Sequence, residues 1–233
     1  MKDLLQTIIH YIPAYLAEFL SLISGPKQFI NRKNLQELEG LHDALLFMGL
    51  SLALAFILSL PLHPPEKDLW TYLGVFAAAI FVAVILSAIG LRFAWFLVGG
   101  KAPLMSFVII YAYYAGVIML IFAIFMIASQ GVIKAYDPDL YSQLLEITKM
   151  DRTQSESALE NIDVYSNKIF IIANLVNGAG DLVAGIWFFI GWGAFRESNN
   201  LSKVRSFFAA MIVIAMYIPS QWMGTVLSAM LLR

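Results

Sequence analysis

One carboxylate stands out because of the apolar residues around it. Asp181 lies near the middle of the apolar stretch Ile169–Ala194, and an ionised carboxylate in hydrocarbon costs on the order of 3 kcal/mol. In a helix, Asn174 and Asn177 share the face of Asp181, because the three positions follow at helical spacing. We therefore expect Asp181 to face protein or water.

A second set of polar side chains follows a proline in the last apolar stretch. Gln221, Thr225 and Ser228 lie about one helical turn apart. They follow Pro219, which leaves a backbone carbonyl without its helical donor at similar depth. These two polar stripes are candidates to meet across a pair of helices.

Two interpretations of the stripes remain open. In the first, Asp181 is a protonatable site or lines a small polar passage, as in a transporter. In the second, a neutral or hydrogen-bonded Asp181 joins two helices. One acid without an intramembrane base or a second acid is a thin basis for a proton relay, so the sequence favours the joining role.

Other kinds of chemistry find no support. The chain has no cysteine, which excludes disulfides and thiolate catalysis, and its three histidines are scattered. Gly99-Gly100-Lys101 lacks the spacing and the following Ser or Thr of a phosphate loop, so Gly99 and Gly100 predict an inter-helix turn. We predict no catalytic residue, metal or cofactor, and a net charge of −1 gives no reason to expect nucleic acid as a partner.

The composition indicates that these residues lie in helices that cross a membrane. Hydrophobic residues make up 60% of the 233 residues and charged residues 13%, against about 45–50% and about 25% in a soluble domain. Five stretches reach the roughly 20 apolar residues that cross a bilayer as a helix. They are Leu41–Leu62, Leu69–Leu91, Leu104–Ser129, Ile169–Ala194 and Ser206–Leu232. The predicted fold is all-α, a polytopic bundle of five transmembrane helices.

The remaining segments complete the predicted organisation. Residues 1–24 repeat apolar side chains every three to four positions, which predicts an amphipathic helix on the bundle or in the lipid interface. Residues 25–40 form a cytoplasmic linker, and residues 41–233 form the membrane domain. Within it, the acidic loop 130–168 should be helical, from Pro138 towards Met150 and again after a capping box at Thr153 and Glu156.

Small residues at helical spacing predict close contacts between helices. Gly178 and Gly185 lie beside Asp181 in the fourth span. In the second and third spans the corresponding residues are Ala79, Ala83, Ser87, Ala112 and Gly116.

Lys and Arg residues predict the orientation. Alternate loops on the side of the N-terminus carry nine, and those on the other side carry six, mostly in the one long loop. Since short loops dominate the positive-inside rule, the N-terminus should be cytoplasmic and the C-terminus outside.

Three segments resemble a known family. They are Ser24–Phe29 (SGPKQF), Trp95–Pro103 (WFLVGGKAP) with the aromatic helix after it, and Trp187–Phe195 with Leu201–Ser206 (LSKVRS). The likeness, over roughly residues 24–230, is to the Yip-domain (Ypt-interacting protein) membrane proteins in their short prokaryotic form. It implies five spans and a cytoplasmic N-terminus, and it supplies no catalytic residues.

In eukaryotic members the resemblance implies membrane trafficking and contact with small GTPases through a longer N-terminal region. That partner is not expected here, because only about 40 residues precede the first span. We expect a non-enzymatic protein of a prokaryotic inner membrane that assembles with itself or another membrane protein. The alternative is a small transporter or channel subunit with a polar intramembrane site at Asp181.

Overall fold

The computed structural model describes residues 2–60, 69–147 and 167–216, and its side chains are described for residues 11–60, 74–147 and 167–216. All regular elements in these ranges are helices. They are α1 (Lys2–Ser24), α2 (Pro26–Asn31), α3 (Leu38–Ser59), α4 (Leu69–Leu97), α5 (Leu104–Tyr136), α6 (Pro138–Ile147), α7 (Lys168–Ser198) and α8 (203–216). The prediction of an all-α chain is confirmed.

Four of the described helices are long and apolar enough to cross a membrane. They are α3, the part Gly74–Leu97 of α4, α5 and α7. At about 1.5 Å per residue, even 22 residues of α3 exceed the roughly 30 Å of a hydrocarbon core. These apolar helices indicate a membrane protein. The fifth predicted span, Ser206–Leu232, begins in α8, and the rest of it lies outside the described residues.

Several helix ends differ from the sequence prediction, and α4, for example, ends at Leu97 rather than at Leu91. Helix α5 continues past Ser129 to Tyr136 and stops where Asp137 and Pro138 begin α6. The predicted loop 130–168 therefore starts within a helix, because Val132 and Ile133 extend the apolar pattern. Helix α6 is described from Pro138 as far as Ile147, and the predicted continuation towards Met150 lies outside the described residues. The predicted capping box at Thr153 and Glu156 lies outside the described residues.

Contacts divide the chain into two compact units. Unit 1 contains residues 1–46, 80–113 and 190–233, and unit 2 contains residues 47–79 and 114–189. Aromatic side chains form much of the interior of unit 1: the rings of Trp95 and Trp192 lie 5.2 Å apart, and those of Phe107 and Phe195 lie 5.6 Å apart. In unit 2, Ile133 and Leu140 pack with Ala173 in a buried cluster.

Helix α1 has both packed and exposed apolar side chains. Tyr15 and Leu22 are buried in unit 1. Leu16, Leu20 and Ile23, spaced four and three residues apart, are exposed. The helix therefore carries an apolar stripe that none of the described residues covers.

Candidate functional site

Asp181 lies on the exposed side of α7. It shares this side with Asn174, Gly178 and Gly185, at the four- and three-residue steps that keep side chains on one face of a helix. Asp181 and Asn174 are exposed, and a Cβ atom built on Gly178 or Gly185 would meet no atom within 4 Å. We call Asn174, Gly178, Asp181 and Gly185 the outer face of α7.

The polar side chains of this stripe make few contacts within the described residues. The Asn174 amide donates to the carbonyl oxygen of Phe170 in its own helix, at 3.1 Å. Asn177 is half-buried. Large apolar side chains are exposed on the same helix, since Leu175 is 69% exposed and Leu182 is 66% exposed. The outer face thus presents one acid and one amide, Asp181 and Asn174, beside two glycines.

The opposite side of α7 packs in unit 2. Ala173, Ala184 and Trp187 are buried there. A Cβ atom on Gly180 would lie 2.7 Å from Cβ of Phe125 in α5, so the absence of a side chain allows this close approach. Sequence reasoning missed Gly180, although its spacing from Ala173, Ala184 and Trp187 marks the same buried face.

The other predicted packing residues divide into two groups. Ala112 is fully buried, and a Cβ atom on Gly116 would lie 2.8 Å from Ser51 Oγ and 2.9 Å from the ring of Phe47 in α3. Ala79 and Ala83 are exposed on α4, and Ser87 is half-buried. The second polar stripe, with Gln221 and Thr225, lies outside the described residues, so its meeting with Asp181 stays a prediction.

Gly99 and Gly100 lie between α4 and α5, beside a buried asparagine. Gly99 has a φ of 93°, a conformation that costs glycine little. Asn199 Oδ1 accepts the Ala102 N–H at 3.1 Å, and its amide donates to the carbonyl of Phe195 at 2.8 Å. A Cβ atom on Gly100 would lie 2.5 Å from that Oδ1. One asparagine therefore ties the turn after α4 to the end of α7.

The predicted linker 25–40 contains an ordered anchor. In α2, Phe29 and Ile30 are buried, Lys27 Nζ lies 2.5 Å from Glu197 Oε1, and the Asn31 amide donates to Glu197 Oε2 at 2.6 Å. In the sequence, Glu197 stands at the head of the polar run Glu-Ser-Asn-Asn, which indicates only a turn after the fourth predicted span. Its role as the partner of α2 depends on a contact between distant segments, which local patterning does not reveal.

Lys33 lies just beyond α2 and is held from two directions. Its ammonium forms an ion pair with Glu18 of α1. The same ammonium lies 5.1 Å from the ring centroid of Phe29 and 5.4 Å from that of Tyr113. These contacts join α1, α2 and the start of α5 within unit 1.

Asp137 connects α5, α6 and the start of α7 in unit 2. Its carboxylate accepts the Asn167 amide at 2.9 Å and the Leu140 N–H at 3.0 Å. Both hydrogen bonds, that of Asn167 above all, favour the ionised form and lower the pKa of Asp137. Asn167 Oδ1 in turn accepts the N–H groups of Ile169 and Phe170 at 2.8 and 3.1 Å, which caps α7.

The described residues contain no group of three or more His, Asp or Glu side chains placed to hold a metal ion. The arrangement instead offers hydrogen bonding by one carboxylate on a helix surface and a set of polar contacts that fix helix ends. Comparisons of the chain with protein-family models, with curated proteins and with solved structures found no match.

Proposed function

We propose that this chain is a non-enzymatic integral membrane protein that works by assembling, through the outer face of α7, with a second copy or with another membrane protein. The observation that supports this function best is the exposure of Asp181 midway along a helix long enough to cross a membrane. A carboxylate in hydrocarbon is costly unless another polar group accompanies it.

The shape of the outer face suits a second helix. Gly178 and Gly185 leave open space on either side of Asp181, and small residues let helix backbones approach closely in a membrane. Close approach brings the carboxylate within reach of donors on the arriving helix. In a symmetric pair, the Asn177 amide of the second copy, about one helical turn from Asp181, is a donor of suitable type.

The resemblance to Yip-domain proteins supports the wider arrangement that we propose. It comprises five spans in a prokaryotic inner membrane, a cytoplasmic N-terminus and an external C-terminus. We further propose that α1 lies at the lipid interface, where the exposed Leu16, Leu20 and Ile23 enter the boundary between headgroups and acyl chains.

Cysteine cross-linking in lipid tests the assembly. Because the chain has no cysteine, Gly178→Cys and Gly185→Cys each introduce a single thiol where a Cβ atom has open space. Gly131→Cys on α5 is a matched control, since its Cβ position is equally open. Oxidation should give dimers, or an adduct with another membrane protein, at positions 178 and 185 and not at position 131.

The fifth predicted span offers a competing explanation for the outer face. If that span covers Asp181, Gly178→Cys combined with Thr225→Cys should cross-link within one chain, and dimers at position 178 should be absent. That result would overturn assembly through α7.

A small transporter or channel subunit is the second candidate. The observation that favours it is again Asp181, because an intramembrane acid can titrate as a solute passes. Under this function, Asp181→Asn should abolish transport and leave the fold intact. Under assembly, the same variant should keep both its association and its fold, because an amide still forms hydrogen bonds.

A further inference from the structure

A groove runs along the last turns of α4 to the start of α5 in unit 1. It has a volume of about 340 Å³, and its walls are Ile89, Arg92, Phe93, Phe96 and Leu104. Four of these five side chains are apolar. Phe93 is 50% exposed, Phe96 is 59% exposed and Leu104 is 41% exposed, so the groove opens outwards.

Arg92 has no carboxylate partner among the described residues. Its guanidinium lies 5.4 Å from the ring centroid of Phe96, in a cation–π contact along the groove wall. Lys27 and Lys33, by contrast, pair with Glu197 and Glu18. The groove therefore contains a cation whose counter-anion the described protein does not supply.

The position of Arg92 along α4 matches the depth of a lipid phosphate. Arg92 is five residues from the end of α4 at Leu97, which is about 7.5 Å along the helix axis. The two headgroup regions together add about 10–15 Å to a hydrocarbon core of roughly 30 Å, so the depth of each is comparable with the distance of Arg92 from the helix end. An arginine near a helix end also extends its side chain towards the interface.

We propose that this groove binds one anionic phospholipid, with its phosphate on the Arg92 guanidinium beside Phe96 and Leu104, and the start of an acyl chain along Phe93 and Ile89 towards the bilayer centre. The planar guanidinium forms paired hydrogen bonds with phosphate oxygens. Phe96 and Leu104 enclose the phosphate and glycerol, Phe93 and Ile89 contact the chain, and a headgroup with net negative charge balances Arg92. This inference requires α4 to span a bilayer, but it does not depend on assembly through α7.

Native mass spectrometry of the purified full chain in detergent tests the site. The chain is titrated with phosphatidylglycerol and, separately, with phosphatidylcholine of the same acyl chains. Wild type should bind phosphatidylglycerol more tightly, and Arg92→Gln should weaken that binding on the order of tenfold, as for loss of a charge-assisted hydrogen bond. Binding of phosphatidylcholine, whose choline group offsets the phosphate charge, should weaken less, so the preference for phosphatidylglycerol should fall.

Lys134→Gln is the matched control for charge. Lys134 also lies over an aromatic ring, 5.7 Å from the centroid of Tyr141, but it does not line the groove. It should keep the preference for phosphatidylglycerol. Equal binding of both lipids by wild type, or equal losses in Arg92→Gln and Lys134→Gln, would overturn the proposed site.

Two further variants distinguish loss of lipid binding at this groove from loss of the fold. Arg92→Lys keeps the charge and loses the planar fork, so it should retain the lipid preference with weaker binding. Leu104→Trp fills the groove and leaves Arg92 in place, and it should reduce binding of phosphatidylglycerol at unchanged helix content by circular dichroism. Undiminished binding by Leu104→Trp would place the lipid elsewhere.

Discussion

Gly180 and Asp181 are neighbours in sequence with opposite surroundings. Gly180 is buried against Phe125, and Asp181 is exposed on the outer face of α7. Successive residues of a helix point about 100° apart, so one step separates the packed side from the open side. Substitutions at these two positions should therefore report on different processes, folding in one case and assembly in the other.

At position 181 we predict that asparagine preserves association in lipid and that leucine weakens it. Asp181→Asn keeps the shape and the hydrogen bonding, so association in lipid should change little. Asp181→Leu removes the hydrogen bonds and should weaken association by about 0.6–2 kcal/mol, the range for intramembrane hydrogen bonds. Energy transfer between labelled copies in vesicles measures both. A stable Asp181→Asn variant that fails to associate would contradict the prediction.

Gly180→Ala should destabilise the protein, and Gly178→Ala should not. The added methyl group at position 180 meets Cβ and Cγ of Phe125 at 2.7 and 2.8 Å, and overpacking of this kind costs about 1–3 kcal/mol. At position 178 the methyl group meets open space, and alanine favours the helix by up to about 1 kcal/mol over glycine. Thermal unfolding in detergent compares the two. Equal melting temperatures would mean that α5 and α7 are not in close contact.

The sequence alone predicts the role of some of these residues but not of others. The types and depth of Asp181 and Asn174 single them out locally. Gly178, Gly180 and Gly185 look alike in one stretch, and only a neighbouring helix distinguishes the packed one. Arg92 counted in the sequence only as a topological charge, since a groove formed with Leu104 of the next helix has no local signature.

At the scale of elements, the helix ends depend on single polar side chains. Asn199 fixes the turn after α4 to the end of α7, and Asn167 with Asp137 fixes the start of α7 to the corner between α5 and α6. Each polar group satisfies backbone groups that a helix end leaves free. These contacts give two further predictions.

Asn199→Ala should destabilise the turn between α4 and α5. It leaves the buried Ala102 N–H without its acceptor, which costs about 1–3 kcal/mol. Asn199→Asp keeps an acceptor for that N–H and loses the donor to Phe195, so it should lie between wild type and alanine. Chemical unfolding of the detergent-solubilised variants measures the order. A fully stable Asn199→Ala variant would contradict this role.

Acid should loosen the corner at Asp137. The folded pKa of Asp137 lies below its usual value, so its contribution to stability is present above the ordinary aspartate pKa of about 4. The contribution is lost as the pH falls through the lower, folded pKa. The Leu140 amide resonance, followed by NMR in micelles, should shift at that acidic pH. Asp137→Asn should remove the shift, and a shift that persists in this variant would assign it to another group.

Helix type was predicted correctly for the four long apolar stretches that the structure describes, since a sustained apolar pattern determines it, but α4, α5 and α7 are longer than predicted, with 29, 33 and 31 residues. The end of α5 was placed seven residues early because Gln130 and Gly131 resemble a boundary, whereas α5 continues to Tyr136. The anchoring of α2 was not predicted, because Lys27, Asn31 and Glu197 come from distant parts of the chain. Contacts between distant segments leave little trace in one sequence.

At the scale of the whole molecule, the distribution of Lys and Arg gives a topology that reporter fusions can test. A reporter fused after Arg233 should be active outside the cytoplasm, and one inserted between Arg196 and Arg205 should be active inside. The physical reason is the excess of cations in the short loops on the N-terminal side. The opposite pattern, or both reporters active on one side, would contradict the five-span arrangement.

The helices that can cross a membrane differ greatly in length. Helix α3 has 22 residues and α5 has 33, which correspond to about 33 Å and about 50 Å. A bilayer whose hydrophobic thickness suits α3 is thinner than α5 is long, so α5 must tilt or project beyond it. Thickening of the surrounding bilayer therefore produces a hydrophobic mismatch at α3 before it does so at α5. Among the described spans, α3 thus limits the bilayer thickness that the protein can match.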